Sequence, residues 1–193
     1  MNPYLVGFAL YVLGADPDWT QERRASFLLD PRVEFPKSVD SNVWEQAHHA
    51  KVMAGGMELP LPYWDDEEVM LAASGYREAS SSLAASVIVL YADHLLPGYM
   101  EAMGPRALSD SDVADKVFLG YDVADEGLTS GLSNCGYERE DREAANVFAP
   151  LLNRHGLFDT IEAADDFRRF SDQRVPEHSP FYVYGLYVDK ALA

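Results

Sequence analysis

The order of apolar and polar positions divides the chain into a strand-like start, a long helical middle and a mixed end. Residues 4–13, "YLVGFALYVL", are apolar without alternation. Such a run fits a strand buried on both faces, ending at Gly14. A short buried helix is the alternative, because periodicity does not separate the two over so few residues. Residues 17–30, "PDWTQERRASFLLD", have helical spacing with Asp18 or Thr20 as the cap. "DPRVEFPKSVDS" carries two prolines and reads as a loop. Ser41 then caps "NVWEQAHHAKVMA", which Gly55 and Gly56 stop. Prolines hold "MELPLP" extended before a further helix, whose first turn contains Asp65, Asp66, Glu67 and Glu68, where the helix dipole favours negative charge. After Gly75 comes the longest helical stretch, about residues 76–103. Its segment "SSLAASVIVLYADHLL" is apolar nearly all round and predicts a central buried helix, ended or kinked at Pro97.

Beyond that point the period changes. Residues 109–115, "SDSDVAD", predict a short helix with an acidic start. Residues 117–123, "VFLGYDV", alternate, with Val117, Leu119, Tyr121 and Val123 on one face. "ADEG" has turn chemistry and "LTSGLSNCG" is placed to return as a second strand. "REDREAANVFAPLLNRHG" resumes helical spacing up to Gly156, and Asp159 or Thr160 starts another helix, "IEAADDFRRFSD". "SPFYVYGLYVDKALA" closes the chain as a strand. The sum is an α+β fold in one domain spanning residues 1–193. A small, mainly antiparallel sheet of about four strands packs with about six helices, the first and last strands being candidate neighbours.

Charge changes this picture more than composition does. With 48% hydrophobic and 12% aromatic residues in 193, the chain has enough apolar surface for a real core. Against 15 Lys and Arg stand 32 Asp and Glu, a net charge of −17. The excess is uneven, since residues 58–193 hold 25 of the acids and only 10 of the bases. A field of that sign repels nucleic acid and anionic membrane, and draws in a basic partner; it also serves plain solubility. One cysteine, Cys135, excludes an intrachain disulfide and fits a reducing compartment. The apolar run at 4–13 is too short to span a bilayer, lacks a basic segment before it and is followed by Asp16 and Asp18. The expected location is the cytoplasm.

The candidate chemistry is sparse. Glu45 and His48 have the i, i+3 spacing of di-iron bundles, but no second Glu-x-x-His exists, and there is no H-E-x-x-H. No metal or other cofactor is expected. "LTSGLSNCG" does not meet the G-x-S-x-G pattern. Cys135 or Ser133 is a nucleophile only if His94, His155 or His178 comes near it in space, and an acidic surround holds a thiol in its less reactive form. Asp93 and His94 are adjacent, so on a helix they point about 100° apart and form no preset dyad.

The stretch "FLGYDVADEGLTSGLSNCGY", residues 118–137, resembles a pattern in small bacterial immunity proteins, which are encoded as partners of secreted toxins. The similarity lies in Gly-Tyr-Asp-Val-Ala-Asp on a strand followed by Ser-Gly-Leu-Ser-Asn-Cys-Gly returning from it. The resemblance implies a non-enzymatic protein that binds one cognate toxin domain and blocks it by direct occlusion. Many such toxins are nucleases with basic surfaces. Toxin-binding candidates are the acids around the turn and after it: Asp122, Asp125, Glu126, Glu138, Glu140, Asp141 and Glu143. The alternatives are a small hydrolase or transferase built on Cys135 or Ser133 with a histidine, and an interaction module unrelated to toxins.

Overall fold

A computed structural model of the protein describes residues 1–12, 83–92, 95–126, 130–132 and 142–190. Five strands form one sheet: β1 (Asn2–Val12), β2 (Leu83–Ala92), β3 (Arg106–Ala107), β4 (Lys116–Ala124) and β5 (Tyr182–Asp189). Their order across the sheet is β3-β1-β2-β5-β4, and every pairing is antiparallel. The helices are α1 (Gly98–Met103), a single turn α2 (Asp110–Val113), α3 (Arg142–Phe148) continued by a 3-10 turn at Ala149–Leu151, and the long α4 (Ile161–Arg174). The fold is α+β, as the sequence predicts, but among the described residues it has five strands where about four were expected, and three helices longer than a single turn, of which only α4 is long, where about six were expected.

The largest correction concerns the described part of the helix expected over about residues 76–103. The segment read as a buried helix is β2, followed after a break by the short α1. Val87, Ile88, Val89 and Leu90 are all fully buried, because both faces of this central strand are covered. A strand buried on both faces loses its alternation and looks apolar all round. β2 also separates β1 from β5, so the first and last strands are not neighbours. The helices expected at 17–30, 42–54 and after Asp65 lie outside the described residues.

β1 resolves as a strand. It pairs with β2 along its whole length, from Asn2 opposite Ala92 to Val12 opposite Leu83. The ladder thus closes with the last described residue of β1 opposite the first of β2.

Two cores lie on opposite faces of the sheet. On one face, Val6, Ile88, Leu90, Tyr184 and Leu186 pack with Met100 of α1 and with Leu157. On the other, Val123 and Val183 pack under Phe148 of α3, Phe158, and Phe167 of α4. Burying each of these large side chains is worth roughly 1.5–3 kcal/mol. α4 is held by a Thr160 cap, whose hydroxyl accepts from Ala163 N at 3.3 Å, and it buries Ala164, Asp165, Phe167 and Ser171 as one stripe.

β4 carries a bulge between Phe118 and Gly120. The extra residue overturns the simple alternation read from the sequence. Leu119 enters the first core, whereas Tyr121 and Val123 enter the second. Gly120 makes the bulge possible. Its φ is +142°, and a Cβ there would stand 2.7 Å from Leu157 Cβ and 2.9 Å from Phe158 O. Tyr121 exchanges backbone hydrogen bonds with Phe158, at 2.8 and 2.9 Å. Asn153 fastens the same junction. Its Nδ2 donates to Leu119 O at 2.8 Å and to Asp159 Oδ1 at 2.9 Å, and its Oδ1 accepts from His155 N at 2.8 Å.

Candidate functional site

The acids around "YDVADEG" divide into two environments within four residues of β4. Asp122 is fully buried, on the face opposite Tyr121 and in register with Tyr184. Alternation does send it away from Tyr121, but that second face is covered too, so it does not reach solvent. Its Oδ1 accepts from Val123 N at 2.7 Å and from Ser130 Oγ at 2.8 Å, while Ser130 Oγ in turn accepts from Leu132 N at 3.1 Å. Gly131 N donates to Val123 O at 2.8 Å, beside an isolated bridge between Ala124 and Ser130. Asp122 thus pins the returning chain against β4. It is part of the fold, not of a docking surface.

Of the expected second strand, residues 128–136, only 130–132 lie within the described residues. Ser130 forms one bridge, and the residues after it, Gly131 and Leu132, are a turn. The strand beside β4 in the sheet is β5.

Asp125 and Glu126 follow the end of β4, where the chain passes close to the start of α1 and the entry to β5. Glu126 Oε1 accepts from Gly98 N at 2.9 Å, capping α1 from another part of the chain. The Tyr182 hydroxyl hydrogen-bonds the same carboxylate. Burial first, and then the negative charges of Glu126 and Glu101, push the Tyr182 phenol far above its ordinary value, so it is a permanent donor here. Asp125 Oδ2 lies 3.3 Å from His178 Nδ1. Glu101, exposed on α1, is near enough to Tyr182 for its charge to act on that phenol, which puts it with Asp125 and Glu126 in an acidic rim at this end of the sheet.

Of the other acids singled out in the sequence, Glu143 stands in the first turn of α3. Glu138, Glu140 and Asp141 lie outside the described residues, as do Ser133, Cys135, Glu45, His48, Asp93 and His94. His155 sits beside Arg154, whose Nε is 3.0 Å from its Nε2. Partial burial, and then the Arg154 charge, lower its pKa, so it favours the neutral form. Among the described residues, no group of three or more His, Cys, Asp or Glu is arranged to hold a metal ion. No helix among them is long and apolar enough to cross a membrane.

Sequence reasoning missed Glu101 and Tyr182. Neither is near Glu126 in the chain, and the turn from Pro97 into α1 that brings Glu101 close leaves no periodic trace. The only local hint was Gly98, a residue without a side chain directly after a proline.

A different use of carboxylates appears along α4. Asp165 accepts from Arg168 Nε at 2.7 Å and from Arg169. Burial works to raise its pKa, but the hydrogen bonds from Arg168 and Arg169 outweigh that and hold it below the ordinary 3.8. Asp172 accepts from Arg168 at 2.9 Å, and from Ser179 Oγ and Phe181 N at 2.9 and 2.8 Å, tying the approach of β5 to the helix.

Comparison with known proteins places the chain beside none of them: no family model, no curated protein and no solved structure matches it.

Proposed function

We propose that this protein is an inhibitor that binds a basic toxin domain and occludes it, as the resemblance in residues 118–137 implies. The observation that carries this reading is the rim of Glu101, Asp125 and Glu126, set on a rigid sheet in a chain of net charge −17. Carboxylates held on strand and helix ends lose little freedom when they meet Lys and Arg, and the long-range field speeds the encounter. Glu126 is the best-organised of the three, since Gly98 N and the Tyr182 hydroxyl fix its orientation before any partner arrives.

The test is co-expression with the product of the adjacent upstream gene, scored as rescue from toxicity. The triple variant Glu101→Lys, Asp125→Lys, Glu126→Gln should then lose rescue and dissociate faster. Gln at position 126 keeps an acceptor for Gly98 N, so α1 stays capped. A complex whose affinity ignores this variant would move the interface elsewhere, and the absence of both toxicity and complex would remove the toxin reading.

A further inference from the structure

Two glycines and one bulge build an aromatic surface on the α4 side of the sheet. Phe118 and Tyr121 are three residues apart and, in a regular strand, would point to opposite faces. The bulge at Leu119–Gly120 brings both to one face, with ring centroids 4.8 Å apart. Phe118 also packs against Tyr187 of β5 at 4.9 Å. Gly185, opposite Tyr121 in the sheet, has no side chain, and this lets Tyr91 lean across: a Cβ there would meet Tyr91 Cε2 at 2.6 Å. Tyr91 thereby reaches the Tyr187 hydroxyl at 2.9 Å and the Tyr121 ring at 5.3 Å.

This surface is open at Phe118, on the edge strand β4. Phe118 is 36% exposed, while its neighbours Tyr121, Tyr187 and Tyr91 are half-buried and so hold it in place. Its edge is acidic. Glu162, exposed in the first turn of α4, stands near enough to Tyr121 for its charge to help raise that phenol, after burial and Tyr187.

We propose that this patch is the anchor for an arginine side chain of a basic protein partner. A guanidinium is planar, stacks on an aromatic face and keeps its N–H groups for a neighbouring carboxylate, here Glu162. An ammonium is a point charge with a stronger hold on water and gains less from a ring face. Rigid aromatics beside a carboxylate, on a chain of net charge −17, complement arginine in shape and in sign. The inference rests on the reading of a basic partner given above, but it names a different surface from the carboxylate rim.

The experiment titrates the full-length protein at low salt with two probes, an acetylated hexa-arginine amide and its hexalysine counterpart. Calorimetry measures affinity, and aromatic proton–carbon NMR locates the contact. The arginine peptide should bind roughly two- to fivefold tighter, with its largest shifts at Phe118, Tyr121 and Tyr187. Phe118→Leu keeps apolar bulk and removes the ring face; it should equalise the two peptides and leave hexalysine binding unchanged. Glu162→Gln should weaken arginine binding by about twofold. Thermal melts check that both variants fold. Equal affinities in the wild type, or an arginine preference that survives Phe118→Leu, overturn the proposal. Toxin rescue with no effect of Phe118 would sink the patch alone, whereas an arginine preference dependent on Phe118 without any toxin partner would sink the neutralisation reading alone.

Discussion

The carboxylates of α4 and those at the end of β4 are the same chemical group put to different uses. Along α4, Asp165 and Asp172 accept hydrogen bonds from Arg168, Arg169, Ser179 and the Phe181 backbone, so their charge is met inside the molecule. At the end of β4, Glu126 accepts from the Gly98 backbone and sits beside the Tyr182 phenol, Asp125 lies beside His178, and Glu101 is exposed on α1. The first arrangement stabilises a helix and its attachment to β5. The second gathers three acids at one end of the sheet, and it is there that the proposed basic partner would act. Asp122, three residues before Asp125, belongs with α4 in this respect, although its sequence context puts it with the rim.

The contrast is open to direct attack, beginning with Asp122. Asp122→Ala strands the Ser130 hydroxyl and Val123 N in the interior and should cost about 3 kcal/mol of folding stability; urea denaturation measures it, and a change below about 1 kcal/mol would place Asp122 outside the core. Asp172→Ala releases three donors from a partly exposed position, so about 2 kcal/mol is expected in the same assay. The ion network should also appear in acid. A depressed carboxyl contributes stability that is full above its unfolded value and is lost as pH falls through the folded one. Asp165 and Asp112 are both lowered, Asp112 by Arg106 and Ser109 against the opposing effect of burial. The melting temperature should therefore decline below about pH 4, and Asp165→Asn should flatten part of that decline. A melting curve unchanged between pH 5 and 2.5 would contradict the assignment. The smallest stability effect belongs to the rim: Glu101→Lys with Asp125→Lys should change folding stability by no more than about 0.5 kcal/mol, while hexalysine binding falls severalfold. A large loss of stability there would mean that the rim, too, serves the fold.

Much of the sheet was legible in the chain, and the failures have specific causes. β1 and β5 are long, rich in β-branched and aromatic residues, and bounded by breakers. β2 has the same composition in Val87-Ile88-Val89, three β-branched residues in a row that favour a strand. The uniform burial of its two faces hid that signal behind a helix-like absence of alternation. In β4 the alternation was real but interrupted, and nothing short of the φ of Gly120 reveals where the extra residue enters. The candidate site was half legible. The acids Asp125 and Glu126 are conspicuous beside a turn, but whether a carboxylate faces solvent depends on what covers the second face of the sheet. The partners that organise Glu126, Gly98 and Tyr182, are set by strand order, which one sequence does not encode locally.

The pairing of Val12 with Leu83 has a further consequence, for observing the molecule. The two positions face each other at the end of the ladder, so they stay about 5 Å apart for as long as β1 and β2 remain paired. A pair of spectroscopic labels placed at these two positions would therefore report whether that pairing is intact, while leaving the acidic rim and the aromatic patch untouched.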